Sequence, residues 1–360
     1  MSTTFEELVD LAVAGERVLL VGAPGCAKTA RVHAVAAHPS VNRRVIVMRL
    51  AMSERVDFAG AMVPDTEAGV TRALPLDLFN ELQSTQEPIL LFVDDMGQAP
   101  MDVQSALMKW FDEGVLSPTV LIWGATNRTS DKAGVRTPHE ALRSRFGPKF
   151  EIPTQVEVRP GVWEPLREDS SGAPMLGTWE DEVAGWCEWA MDFGAPAEVI
   201  AWHRATNGRT LYQWKPSSNA ALSMPDYRAW ERVISLWNKG LRSLRVLSSV
   251  IGKPVAGEFL QFAALANELP TPDLVWMDPK GAPIPASPQA KYLICSMLAS
   301  AVTPEFAEAA VTYMTRLSGE DRVYGVMLAL DLRKKLGAKL VGNKAWNKWF
   351  LANKELFEAA

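Results

Sequence analysis

Lys28 and Thr29 close the stretch Gly22-Ala23-Pro24-Gly25-Cys26-Ala27-Lys28-Thr29, which directly follows the apolar run Val18–Val21. The spacing approximates G-x-x-x-x-G-K-[ST], a loop whose backbone N–H groups, together with a helix N-terminus, point at phosphate oxygens while the lysine reaches the outer phosphates. All eight residues are candidate nucleotide contacts, and the Thr29 hydroxyl is a candidate metal ligand. Ala27 stands where the pattern has glycine; one added methyl is tolerated if the local dihedrals are helical, so the departure weakens the match without breaking it. The alternative is a glycine-rich turn with no ligand, so the context has to decide.

An acidic pair supplies that context. "ILLFVDDMGQAP" puts Asp94 and Asp95 at the end of five apolar residues. Two adjacent carboxylates are costly there without a counter-charge. Magnesium on nucleotide phosphates would supply it, with Asp94 holding the ion directly or through water and Asp95 orienting or deprotonating the attacking water. A solvated turn or a helix cap is the competing use of the pair. Asn127, after the run Val120–Trp123, carries an amide that both donates and accepts, and could reach the γ-phosphate or its water. Arg143 and Arg145 in "ALRSRFG" offer a guanidinium to a neighbouring subunit's nucleotide, and one of the two is free to pair with a carboxylate instead.

Positioning these groups requires a scaffold. Five short apolar runs, Val18–Val21, Val45–Leu50, Ile89–Val93, Val120–Trp123 and Lys149–Ile152, alternate with helical patterns. Continuous rather than alternating runs read as a parallel sheet covered on both faces, an α/β three-layer architecture. "PMDVQSALMKWFDEG" repeats Val103, Leu107, Trp110 and Phe111 at helical spacing, with Pro100 at its start and Gly114 at its end. Residues 153–178 are rich in Pro, Gly, Ser and charge and read as a linker or exposed loop. No strand is expected beyond it. The rest is helical, with shared faces of Val183/Trp186/Ala190/Phe193, Tyr227/Trp230/Ile234/Trp237, Phe306/Ala310/Tyr313/Leu317, and a last helix carrying Trp346, Trp349, Phe350 and Phe357. Eleven of the thirteen tryptophans lie beyond residue 160, which points to an aromatic core there.

Composition bounds the function. A net charge of −5 over 360 residues argues against a broad grip on nucleic acid, although a local basic feature would not register in the total. Cys26, Cys187 and Cys295 form no C-x-x-C pair, and His33, His38, His139 and His203 have no metal-ligand spacing. Cys26 reads as a small space-filler. The acidic start and the lack of a long apolar run lead to the expectation of a soluble cytoplasmic protein without a membrane span.

Taken in order, these motifs resemble the AAA+ ATPases: Gly22–Thr29 is similar to Walker A, Ile89–Asp95 to Walker B, Asn127 to sensor 1, and Arg143/Arg145 to the arginine-finger region. "DFAGAMV", "VDDMGQAPMDVQSALMKWFDEG" and "GATNRTSDKAGV" resemble the MoxR-like branch. "MPDYRAWERV" resembles its helical lid and gives Arg228 the sensor 2 position. The resemblance implies a P-loop NTPase core at 1–155, a linker at 156–180, a lid at 181–245 and a further helical region at 246–360. It implies ATP and Mg²⁺, hydrolysis to ADP and phosphate, a homo-oligomeric ring, usually a hexamer, and chaperone-like remodelling of a protein partner, in relatives often one with a von Willebrand A-type domain. A loop after the second strand would face the ring's pore, with Phe58, Ala61 and Met62 either at its tip or in the core. The sequence departs from the family at Asp95, where glutamate is usual, and at Gln98, where arginine is common. The segment before Val120 is also too short for the hairpin that many relatives carry. Two other readings remain: a nucleic-acid-dependent motor, and a nucleotide-gated scaffold with little turnover.

Overall fold

In a computed structural model that describes residues 3–129, 137–166, 173–215, 223–317 and 322–355, the strands run in chain order β1 (Leu19–Val21), β2 (Arg44–Arg49), β3 (Ala61–Asp65), β4 (Val70–Leu74), β5 (Ile89–Asp94), β6 (Val120–Thr126), β7 (Lys149–Glu151), β8 (Gln155–Arg159) and β9 (Val162–Pro165). The five expected apolar runs are β1, β2, β5, β6 and β7. They form one sheet in the order β2-β5-β6-β1-β7 with every neighbouring pair parallel. Ile89–Val93 is wholly buried, whereas β2, at the edge of the sheet, is half exposed. This is why the central runs read as unbroken apolar stretches. Because all five strands point the same way, the segments after β1, β5 and β6 emerge at one carboxyl edge, where ligands of open α/β sheets bind. The helices flanking the sheet make this a three-layer αβα core. Pro100 precedes the helix Met101–Leu107, a 3₁₀ turn at Met108–Phe111 continues it, and Val103, Leu107, Trp110 and Phe111 are all buried.

Two hairpins depart from the sequence reading. Residues read as linker form the antiparallel pair β8–β9, turned at Gly161 with φ +76°. The alternation there is short and mixed with charge, so nothing in the sequence separates it from loop. The second hairpin, β3–β4, lies between β2 and β5, turned through Gly69 at φ +67°. Gly60, just before it, sits at φ +81°, and a Cβ there would lie 2.7 Å from the Leu74 carbonyl oxygen, so only glycine admits this close approach. Phe58 is core: 4% exposed, it meets Trp110 edge-on at 5.0 Å. Met62, by contrast, is 68% exposed on β3. Between Phe111 and Val120 the chain makes only turns.

The chain divides into two compact units. One holds the residues up to Glu182 together with the chain around Tyr212 and Asp226–Arg228; the other holds Val183–Leu211 and the chain from Ala229 onward. The second is helical throughout its described residues. Trp186, Ala190, Trp230, Ile234 and Trp237 are buried as their spacing requires, but Phe193 lies past the end of its helix, half exposed, and stacks on Trp189. Ala310, Tyr313, Leu317, Trp346 and Trp349 share one apolar core, with Phe306 and Phe350 packed against it. Phe357 lies outside the described residues. Deep in this unit Arg204 grips Asp331 through two bonds of 2.6 and 2.8 Å. Its neighbour His203 is fully buried between Trp186 and Trp230, with ring centroids at 4.7 and 4.3 Å, and neither ring nitrogen has a hydrogen-bond partner among the described residues. Burial pushes its pKa down to about 3. No described helix is long and apolar enough to cross a membrane.

Candidate nucleotide site at the carboxyl edge

The buried strand β1 releases the chain at Gly22, and the helix Lys28–Ala36 takes it up again. Between them Gly25 has φ +77° and Ala27 has φ +62°, ψ +27°, with Cys26 outside the left-handed region. Alternating hand is how consecutive amides are made to converge into an anion-binding concavity. The condition on Ala27 is not met by right-handed backbone: the position is left-handed, a conformation that suits glycine, and the alanine carries a penalty of about 1 kcal/mol. A side chain at either true glycine would displace a neighbouring one. A Cβ on Gly22 would lie 2.7 Å from Cys26 Sγ, and one on Gly25 would lie 2.5 Å from Asp226 Oδ2. Cys26 is fully buried and burial raises its thiol pKa, so it is a neutral space-filler.

Lys28 is buried, and its Nζ donates to Gly22 O (2.9 Å), Ala23 O (3.1 Å) and Asn127 Oδ1 (2.7 Å). These three bonds use all the donors of an ammonium. Polyphosphate entering the loop has to replace some of them, and Asn127 is the side chain that the lysine would hand over. Thr29 Oγ1 donates to Asp94 Oδ2 at 2.9 Å, while Asp94 Oδ1 accepts the Asp95 amide at 2.9 Å. A hydroxyl and a carboxylate brought together next to an anion cradle are hard oxygen donors of the kind Mg²⁺ prefers. Asp95, in the left-handed region at φ +56°, is half-buried; desolvation raises its pKa, the adjacent Asp94 charge adds to the rise, and Lys28, Arg49 and Arg228 oppose it.

The two candidate arginines separate. Arg145 donates to Ala141 O at 2.7 Å and lies 3.8 Å from Asp112 Oδ1, so it is tied down within its own chain. Arg143, at the end of the helix Glu140–Arg143, has no partner among the described residues. Arg228 is exposed and contributes positive charge toward Asp95.

Several supporting groups were not foreseen in the sequence. Glu182 accepts from Tyr227 at 2.7 Å and pairs with Arg31 of the cradle helix, while Tyr212 donates to Pro24 O at 2.7 Å. These contacts hold the loop from outside. Arg128, beside Asn127, is buried against Glu151 and Thr154 at 3.1 Å each, which fixes the end of β6 to that of β7. Only the adjacency of Arg128 to Asn127 hinted at this; the partner is set by strand order. A cavity of about 590 Å³ opens beside Thr29, lined among others by His33, Met48, Arg49, Met52 and Leu78.

Residues 18–154 match the AAA family, ATPases associated with various cellular activities. This stretch is an AAA ATPase domain. Such domains bind nucleotide, and the matched range contains the cradle, the acidic pair, Asn127 and both arginines. No curated protein matches the chain. Among solved structures, a candidate ATPase from Cytophaga hutchinsonii is similar at 22% identity over 41% of this chain and 44% of that one, with a TM-score of 0.28. The chain thus spans less than half of that relative. The Thermotoga maritima RuvB Holliday junction branch migration motor is similar at 16% identity over 71% and 67%, with a TM-score of 0.37.

Proposed function

We propose that this chain binds ATP with Mg²⁺ and hydrolyses it within a homo-oligomeric ring, as a MoxR-like remodeller of a protein partner. The observation that carries the ATPase reading is the 2.9 Å contact of Thr29 Oγ1 with Asp94 Oδ2, next to Lys28 and Asn127 held 2.7 Å apart. That pair would hold Mg²⁺, whose chemistry when bound is neutralisation of phosphate charge. The loop amides of Gly22–Thr29 bind the phosphates, Lys28 exchanges its loop carbonyls for phosphate oxygens, and Asn127 is left to orient the γ-phosphate or water. Asp95 orients that water and accepts its proton; its raised basicity suits a base better than an ordinary carboxylate would. Arg143 is the guanidinium offered to the neighbouring subunit's nucleotide, and Arg228 acts on its own. The exposed Met62 on the β3–β4 hairpin supports a grip on an extended polypeptide. A partner with a von Willebrand A-type domain fits the MoxR resemblance.

Phosphate release by wild type, Lys28→Ala and Asp95→Asn tests the reading, with nucleotide binding followed by calorimetry. The expected result is nucleotide binding by wild type and Asp95→Asn, hydrolysis by wild type alone, and neither by Lys28→Ala. Equal background rates in all three with retained binding in wild type would leave a nucleotide-gated scaffold, for which the short Asp95 side chain speaks. Absence of binding in folded wild type would end both.

A further inference from the structure

Residues 332–354 contain six lysines, one arginine and no aspartate or glutamate, a local charge of +7 in a chain whose total is −5. The first 182 residues carry 17 Lys and Arg against 26 Asp and Glu, a net of −9. Such asymmetry between parts of one chain marks a site for a polyanion. The segment covers the end of the helix Arg322–Leu336, the 3₁₀ turn Gly337–Leu340 and the helix Lys344–Ala352. Trp346 and Trp349 anchor the last helix by burying one face in the helical core. Its other face presents Lys344, Asn347, Lys348 and Leu351, at i, i+3, i+4 and i+7, to solvent.

Not every base is available. Lys334 lies 3.2 Å from Asp192 Oδ2, and Lys335 donates to the carbonyls of Ala299 and Ser300. Lys339, Lys344 and Lys348 are exposed and have no partner among the described residues.

We propose that the exposed lysines of this segment, Lys339, Lys344 and Lys348, bind the phosphate backbone of nucleic acid. A protein partner fits it less well, because lysine is depleted from protein–protein interfaces whereas phosphate binding needs only positive charge and counterion release. An anionic membrane fits less well too: a helix lying in a bilayer surface turns its aromatic face outward to the lipid, and here both tryptophans face inward. The inference is independent of ATP turnover and is compatible with a remodeller that works on nucleic-acid-bound protein.

The test is fluorescence anisotropy of a labelled short DNA duplex titrated with the full chain, without nucleotide, at several salt concentrations. Wild type is expected to bind, with affinity falling steeply as salt rises. Lys339→Ala/Lys344→Ala/Lys348→Ala is expected to weaken binding at least about tenfold and to make the slope of log K against log salt shallower by about 2 to 3, since each phosphate contact adds about 0.9. A control with Lys253→Ala/Lys280→Ala/Lys291→Ala is expected to bind as wild type. No wild-type binding at low salt, undiminished binding by the first variant, or equally strong competition by polyglutamate of matched charge would overturn the proposal. Because nucleotide is omitted, failure here leaves the ATPase reading standing, and loss of hydrolysis in Lys28→Ala does not bear on this face.

Discussion

The carboxyl edge of the sheet and the interior of the helical unit both bury charge, but they treat it differently. At the edge, Lys28 is satisfied by groups that can let go, two loop carbonyls and one amide, and Asp94 by one hydroxyl and one backbone amide. In the helical unit, Arg204 and Asp331 satisfy each other through a two-pronged pair. Exchangeable partners make a site, whereas reciprocal ones make a body. His203 goes further: it is packed as an aromatic ring, and neither ring nitrogen has a hydrogen-bond partner among the described residues.

The largest expected effect tests the most exchangeable group. Arg143→Ala should lower kcat by about 10³-fold or more with little change in nucleotide affinity, whereas Arg145→Ala should leave kcat near wild type and lower Tm. Steady-state phosphate release decides it, and equal losses in the two variants would break the distinction between a free and a tied arginine.

Next in size is Asp331→Asn, which leaves the Arg204 guanidinium buried and unpaired. Denaturant titration should show a loss of about 3–5 kcal/mol. Arg44→Ala, at an exposed pair with Glu81 and Glu87, should cost far less, because solvent screens that pair. Similar losses in both would mean that burial does not separate the two kinds of pair.

His203 sharpens the comparison through pH. Its folded pKa, about 3, lies below the ordinary value of 6.5, so the unfolded chain takes up the proton first. The stability it contributes is complete above pH 6.5 and is lost as pH falls from there toward 3, by about 2 kcal/mol at pH 5. Unfolding free energies at pH 7.5 and 5 should show that difference between wild type and His203→Leu; parallel pH dependences would refute it. The smallest effect is at Ala27→Gly, where relief of the left-handed alanine exceeds the added freedom of the unfolded chain. A gain of about 0.5 kcal/mol is expected in thermal unfolding. A loss would show that the methyl is needed for packing.

The core was legible because its signals are local. An unbroken apolar run reports a strand buried on both faces, and a lysine–threonine pair after such a run reports a cradle. The hand of Ala27 is not legible in the sequence, which names the residue but not its dihedral. The β8–β9 hairpin was missed because short alternation mixed with charge resembles a loop. Arg31–Glu182 and Arg128–Glu151 were invisible for another reason: 151 and 23 residues separate the partners, and no spacing rule links them.

By itself, the sequence determined the order of the five parallel-sheet strands along the chain, the residue types of the candidate cradle and acidic pair, and the charge of residues 332–354, because each depends on residue type and near neighbours alone. Tertiary structure decided which arginine is tied and which is free, which phenylalanine is core, and how the loop is held from outside. Those depend on what packs against a residue from far along the chain, and burial and hydrogen-bond partners become defined only when the fold brings such segments together.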